Sequence, residues 1–142
     1  MTAVYVDTSV LGAYYCPEPL SDRAQEYLRA TDELAVSGLA EVEFFSLVSK
    51  KKRQRDFGEA KARRILMQFQ SHLEEGYFYR LAVEPYHYLL ARDMIAEFST
   101  GLRTLDALHL AVVMDAGIAL TTADVAMARA AGHRGIKTDL IS

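Results

Sequence analysis

Asp7, Glu43, Asp106 and Asp124 are the residues of this 142-residue chain whose type and spacing suggest chemistry. Asp7 follows the β-prone run Ala3-Val4-Tyr5-Val6, and Asp124 follows the apolar run Ile118-Ala119-Leu120-Thr121. In an open parallel sheet ligands bind outside the carboxyl ends of the strands, so acids just past two strand ends can converge. Asp106 falls in the first turn of a helix predicted over 105–116 and can face the same crevice. Glu43 belongs to a helix starting near Leu39, in which Leu39, Val42, Ser46 and Leu47 form an i, i+3, i+7, i+8 stripe; Glu43 lies at i+4, aimed inward or at the stripe's margin.

Each acid also has an ordinary explanation. Asp7 and Asp124 could simply cap the helices that follow them, Asp106 could answer a helix dipole, and Glu43 could reach solvent or pair with a lysine. Taken together, four carboxylates gathered without a counter-charge would repel one another and be costly to desolvate. A hard divalent cation removes that conflict, and an all-oxygen donor set suits Mg²⁺ or Mn²⁺. Such an ion lowers the pKa of a bound water and stabilises charge developing on a phosphate, so metal-dependent phosphodiester hydrolysis needs no side-chain nucleophile.

The elements that must position these acids alternate along the chain. After the first strand and a helix opening at Asp7-Thr8-Ser9, the pattern predicts a helix over 21–30 and a strand at 34–37. A helix from Leu39 then runs into the basic Lys50-Lys51-Lys52-Arg53-Gln54-Arg55. Next come a helix over 59–75 closed by Gly76, a strand over 77–83, and a helix over 86–98 with Pro85 in its first turn. The last third holds the 105–116 helix closed by Gly117, the 118–121 strand, a helix over 123–131 closed by Gly132, and an edge strand at 136–138. Strands alternating with helices predict an α/β fold, a mostly parallel sheet flanked by helices. The length suits one domain over 1–142.

Composition narrows the function. With 51% hydrophobic and 25% charged residues the chain can bury an ordinary core. Sixteen Lys+Arg against nineteen Asp+Glu leave a net charge of −3, so any polyanion partner needs a local basic patch. A single cysteine, Cys16, excludes an internal disulfide and a thiolate metal site. With no signal-peptide pattern, this fits a cytoplasmic protein, and the broken apolar stretch over 107–123 predicts no membrane span. P-loop, dinucleotide-binding, H-E-x-x-H and C-x-x-C patterns do not occur.

Four segments carry a family resemblance: Val4-Tyr5-Val6-Asp7-Thr8-Ser9, Ser37-Gly38-Leu39-Ala40-Glu41-Val42-Glu43-Phe44, Leu102-Arg103-Thr104-Leu105-Asp106-Ala107-Leu108-His109-Leu110-Ala111, and Thr121-Thr122-Ala123-Asp124. The sequence resembles the PIN-domain ribonucleases, and among them the VapC-type toxins of toxin–antitoxin pairs. The resemblance implies a three-layer α/β/α fold and a Mg²⁺- or Mn²⁺-dependent endoribonuclease. It implies that Asp7, Glu43, Asp106 and Asp124 hold metal, and that Thr8, Ser9 and Thr122 support the site. An RNA substrate, inhibition of translation, an antitoxin that occludes the site, and a homodimer follow from the same resemblance. Glu41 is an alternative to Glu43, but it would sit about 160° round the helix.

Other residues have two readings. The basic run at 50–55 could touch RNA phosphates or an acidic antitoxin segment, or be only a solvated helix end. Arg103 could clamp a phosphate or pair with one of the acids. His109 is expected to be a satisfied core histidine, Tyr77-Phe78-Tyr79 packing residues, and Cys16 inert. The rival functions are a catalytically silent RNA- or protein-binding module and an aspartyl-nucleophile phosphatase, in which Ser9 would replace the second aspartate.

Overall fold

In the computed structural model, which describes residues 3–142, the first apolar run forms β1 (Ala3–Val6) and Asp7 leads directly into α1 (Thr8–Tyr15). The chain continues through α2 (Ser21–Arg29), β2 (Glu33–Ser37), α3 (Gly38–Arg53), α4 (Glu59–Glu74), β3 (Phe78–Leu81) and α5 (Pro85–Ile95). It ends with α6 (Thr104–Ala116), β4 (Ala119–Thr122), α7 (Val125–His133) and β5 (Thr138–Leu140). The five strands form one sheet in the order β3-β2-β1-β4-β5, and every pairing is parallel. The expected mostly parallel sheet is therefore wholly parallel among the described residues.

Side-chain alternation builds the three layers. Tyr5 and Ala35 point to one face, where α5, α6 and α7 cover them; Val6 and Val36 point to the other, under α1 to α4. Because the central strands are covered on both faces, they are apolar almost throughout rather than alternating. β1 lies at the centre. The chain first winds outward on one side through β2 and β3, then returns to place β4 on β1's other side. The order reverses between β1 and β4, and the crevice of a doubly wound sheet opens at the carboxyl ends of that pair. Val4, Tyr5 and Val6 pair with Ala119, Leu120 and Thr121, so Asp7 and the residues after Thr122 emerge side by side.

Several boundaries differ from the sequence reading. β3 covers only Phe78–Leu81, because Tyr77 still closes the α4 turn through its N–H to the His72 carbonyl. α5 stops at Ile95, and Phe98 turns the chain with φ of +58°. α7 starts after Asp124 and runs through Gly132, the turn falling instead at Gly135 with φ of +73°. That displaces the last strand to Thr138–Leu140. The buried stripe of α3 is Ala40, Phe44 and Val48, whereas Val42 is exposed; α3 is apolar on more than one side, so the period alone did not single out the inner face. Among the described residues no helix is long and apolar enough to cross a membrane.

Candidate active site

At the β1 carboxyl end, Asp7 continues the sheet pairing through its N–H to the Thr121 carbonyl, 3.0 Å. It occupies the N-cap position of α1, yet its side chain does not cap the helix. Its Oδ2 accepts hydrogen bonds from Ser9 Oγ at 2.7 Å and Thr122 Oγ1 at 2.9 Å. The same hydroxyls are held in turn by backbone donors: Ala123 N–H to Ser9 Oγ at 2.9 Å and Asp124 N–H to Thr122 Oγ1 at 3.0 Å. Asp7 is thus a buried carboxylate, 6% exposed, fixed by two hydroxyls on neighbouring elements and with no Lys or Arg ion pair among the described residues.

Asp124 does cap: its Oδ1 accepts from the Ala126 and Met127 N–H groups at 2.9 and 3.2 Å. One oxygen spent on the α7 terminus leaves the other for a second task. Asp106 stands in the first turn of α6. Its carboxyl is held above the usual range, first by its own burial and then by the negative charges of Asp124 and Asp7, with His109 pulling the other way and Glu43 adding the smallest push. That one carboxyl feels the other three acids is the electrostatic signature of a common crevice. Geometry links the four acids: Thr122, two residues before Asp124, bonds Asp7, Thr8, next to Asp7, bonds Glu43, and Asp106 precedes Glu43's partner His109 by three residues on α6, although among the described residues no group of three His, Cys, Asp or Glu is spaced to hold a metal ion as it stands.

Glu43 projects from the second turn of α3, itself started by Ser37, whose hydroxyl accepts the Ala40 N–H at 3.3 Å. Glu43 Oε1 accepts from Thr8 Oγ1 at 2.7 Å and from the His109 ring Nε2. Burial raises this carboxyl, but the His109 hydrogen bond and charge and the Thr8 hydroxyl outweigh it and hold it below its ordinary value. Glu41 faces elsewhere and pairs with Arg80 at 3.0 Å. α1 approaches α3 closely enough that a Cβ on Gly12 would lie 2.9 Å from Leu47 Cδ1. That close approach keeps Thr8 within reach of Glu43.

The site residues that sequence reasoning missed lie behind Glu43. His109 is a buried, satisfied histidine as expected, 1% exposed, but its partner is an acid of the crevice. Its Nδ1 lies 2.7 Å from the Tyr5 hydroxyl, which lies 2.7 Å from Ser37 Oγ. Ser37, Tyr5, His109 and Glu43 therefore form one continuous chain of side-chain hydrogen bonds, with His109 Nε2–H donating to the Glu43 carboxylate. Tyr5 gave no signal because a tyrosine in a buried strand reads as packing. Arg103 is exposed at the N-cap of α6 and forms no ion pair with the acids among the described residues.

The PIN domain family model matches residues 4–133. Solved structures share the architecture. The toxin VapC20 of Mycobacterium tuberculosis, described as sarcin-ricin loop cleaving, superposes with a TM-score of 0.71 at 17% identity, covering 89% of this chain and 94% of that one. VapBC2 of Rickettsia felis bound to a DNA fragment from its promoter gives 0.69 at 14% identity, covering 99% and 100%. FitAcB of Neisseria gonorrhoeae gives 0.68 at 16% identity, covering 95% of each chain. No curated protein sequence matches significantly. A family match over nearly the whole length, on a fold that gathers acids at the β1/β4 edge, means that the chain belongs to the PIN domain family.

Proposed function

We propose that the protein is a divalent-metal-dependent endoribonuclease, the toxin of a toxin–antitoxin pair, acting as a homodimer and inhibiting translation until its antitoxin covers the site. The observation that carries the nuclease reading is Asp7, a buried carboxylate at the carboxyl end of β1 that is fixed by Ser9 and Thr122, meets no Lys or Arg ion pair among the described residues, and has Glu43 held beside it through Thr8. An all-oxygen, net negative donor set of this kind fits Mg²⁺ or Mn²⁺. The toxin role is supported by the structural likeness to proteins described as toxins and toxin–antitoxin complexes.

In this reading Asp7, Glu43, Asp106 and Asp124 hold the metal, which supplies an activated water and neutralises charge on the scissile phosphate. Ser9 and Thr122 fix one oxygen of Asp7 and leave the other for the ion. Thr8 and His109 orient Glu43 and keep it ionised, the work expected of groups that sit behind a metal ligand. Arg103, exposed at the N-cap of α6 three residues before Asp106, supplies a phosphate contact in this reading. The test is cleavage of total RNA by the purified chain and by Asp7→Asn, each with Mg²⁺, Mn²⁺ or EDTA. Cutting by the wild type alone, and only with metal, is expected; equal cutting by both proteins, or cutting in EDTA, contradicts the reading.

A further inference from the structure

The basic run at the end of α3 is not absorbed by the site chemistry, and the structure gives it a direction. Seen down α3, Glu43, Ser46, Lys50 and Gln54 follow one another at i, i+3, i+7 and i+11, a single helix face, with Lys51 at its flank. A groove of about 490 Å³ runs beside this face and is lined by Thr8, Glu43, Ser46, Lys50, Lys51 and Gln54. One surface depression therefore joins a crevice acid to two lysines. At a rise of about 1.5 Å per residue, Lys50 lies about 10 Å along the axis from Glu43 and Gln54 about 16 Å, the reach of a short strand rather than of one phosphate.

Helix-dipole compensation explains why cations suit the last turn of α3, but not why two of them open into the groove that holds Glu43 and Thr8. Lys50 makes no ion pair among the described residues, and Lys51 has only a loose one, 3.7 Å to Asp56. Both are available to a polyanion. In a chain of net charge −3, attraction of RNA has to come from such a local patch.

We infer that this face of α3 is the path of the substrate's sugar–phosphate backbone, with Lys50 and Lys51 contacting phosphates on one side of the scissile bond. The inference rests on the nuclease reading for its substrate, but binding tests it separately. Ser46 and Gln54 add neutral hydrogen-bonding groups that suit backbone contact without base readout.

The experiment measures binding of a fluorescent single-stranded RNA oligomer in EDTA across a salt series. The proteins are the full wild-type chain, Lys50→Gln/Lys51→Gln, Lys50→Arg/Lys51→Arg and Lys52→Gln/Arg55→Gln. Two lost single-strand phosphate contacts should weaken binding roughly 20-fold at 0.1 M salt and make the log–log salt slope shallower by about 1.4. The arginine variant should bind like the wild type, and Lys52→Gln/Arg55→Gln, with equal charge lost elsewhere, should change far less. Equal weakening by both glutamine variants would mean bulk charge and overturn the path; so would unchanged slopes or no binding by the wild type. Loss of polyglutamate binding with RNA affinity intact would assign the lysines to an acidic protein partner and overturn it too. Metal-dependent cleavage of total RNA, assayed alongside, separates the two readings. Lysine-dependent binding without cleavage removes the nuclease and keeps the path, whereas cleavage indifferent to the lysines does the reverse.

Discussion

The protein contains two buried histidines that each meet a carboxylate, and their surroundings differ. His87, 2% exposed, accepts the Glu84 N–H on Nδ1 at 2.8 Å and so donates from Nε2 to Asp115 at 3.0 Å. Asp115 also accepts the Tyr86 hydroxyl at 2.7 Å, and these donors, the tyrosine first, hold its carboxyl below the usual range. That group ties the start of α5 to the end of α6. His109 makes the same kind of bond to Glu43, but Glu43 adds to the negative charge felt by Asp106, a carboxyl raised first by burial and then by Asp124, Asp7 and Glu43. A similar pair is a staple where every group is satisfied and, under the proposed function, part of the reactive centre where the carboxylate joins unneutralised charge. The pair alone does not signal chemistry; the company its carboxylate keeps does.

The largest expected contrast is in cleavage rate. Asp7→Asn should lower it by roughly 100-fold or more while circular dichroism stays native, and Asp115→Asn should leave it unchanged. Equal rates for Asp7→Asn and the wild type would remove the distinction between the two regions. Next in size, His109→Ala should cost about 10- to 100-fold in rate by freeing Glu43, with partial recovery in His109→Gln, whose amide can still donate. His87→Ala should instead cost about 2–3 kcal/mol of stability, seen in urea unfolding, because it orphans the Glu84 N–H and opens a cavity, with the rate intact.

Smaller effects concern stability and pH. Since Asp106 is raised in the fold, its charged form opposes folding at neutral pH, and Asp106→Asn should be more stable than the wild type. Its partial exposure limits the gain to less than about 1 kcal/mol, a rise in Tm of about 1–3 °C, although activity is lost. The advantage disappears on acidification: as pH falls through the raised pKa, Asp106 protonates in the wild type and its charge no longer opposes folding. Glu43 acts oppositely. Its carboxyl is depressed, so its contribution is complete above the unfolded value near 4.3 and lost as pH falls through the folded one. As pH falls from neutral toward the unfolded Asp value near 3.9, the Tm of Asp106→Asn should therefore fall more steeply than that of the wild type. Parallel curves would show that the Asp106 carboxyl is not raised in the fold.

Much of this arrangement was readable from the sequence, and the failures have physical causes. β1, β2 and β4 were legible because short apolar runs end at residues that start helices, and the parallel sheet followed from the alternation. The reversal of strand order between β1 and β4 could not be read, because it depends on which neighbour the fourth strand chooses. The Asp7 and Asp124 environments diverged for the same reason. Both occupy N-cap positions, but two hydroxyls 2 and 115 residues away from Asp7 draw its side chain off the helix. His109 was legible as buried but not as Glu43's partner, since a contact across 66 residues leaves no periodic trace. Thr8, Ser9 and Thr122 came from the family resemblance alone, and their hydrogen bonds to Glu43 and Asp7 give that resemblance a physical content.

The central claim is that the four carboxylates at the β1/β4 edge share a divalent cation. Titration of Mn²⁺ followed by electron paramagnetic resonance, on the wild type and on Asp7→Asn, tests it most directly. Saturable binding by the wild type is expected, competed by Mg²⁺ and strongly weakened in Asp7→Asn with its fold intact. No saturable binding by the wild type, or equal binding by both proteins, would contradict it.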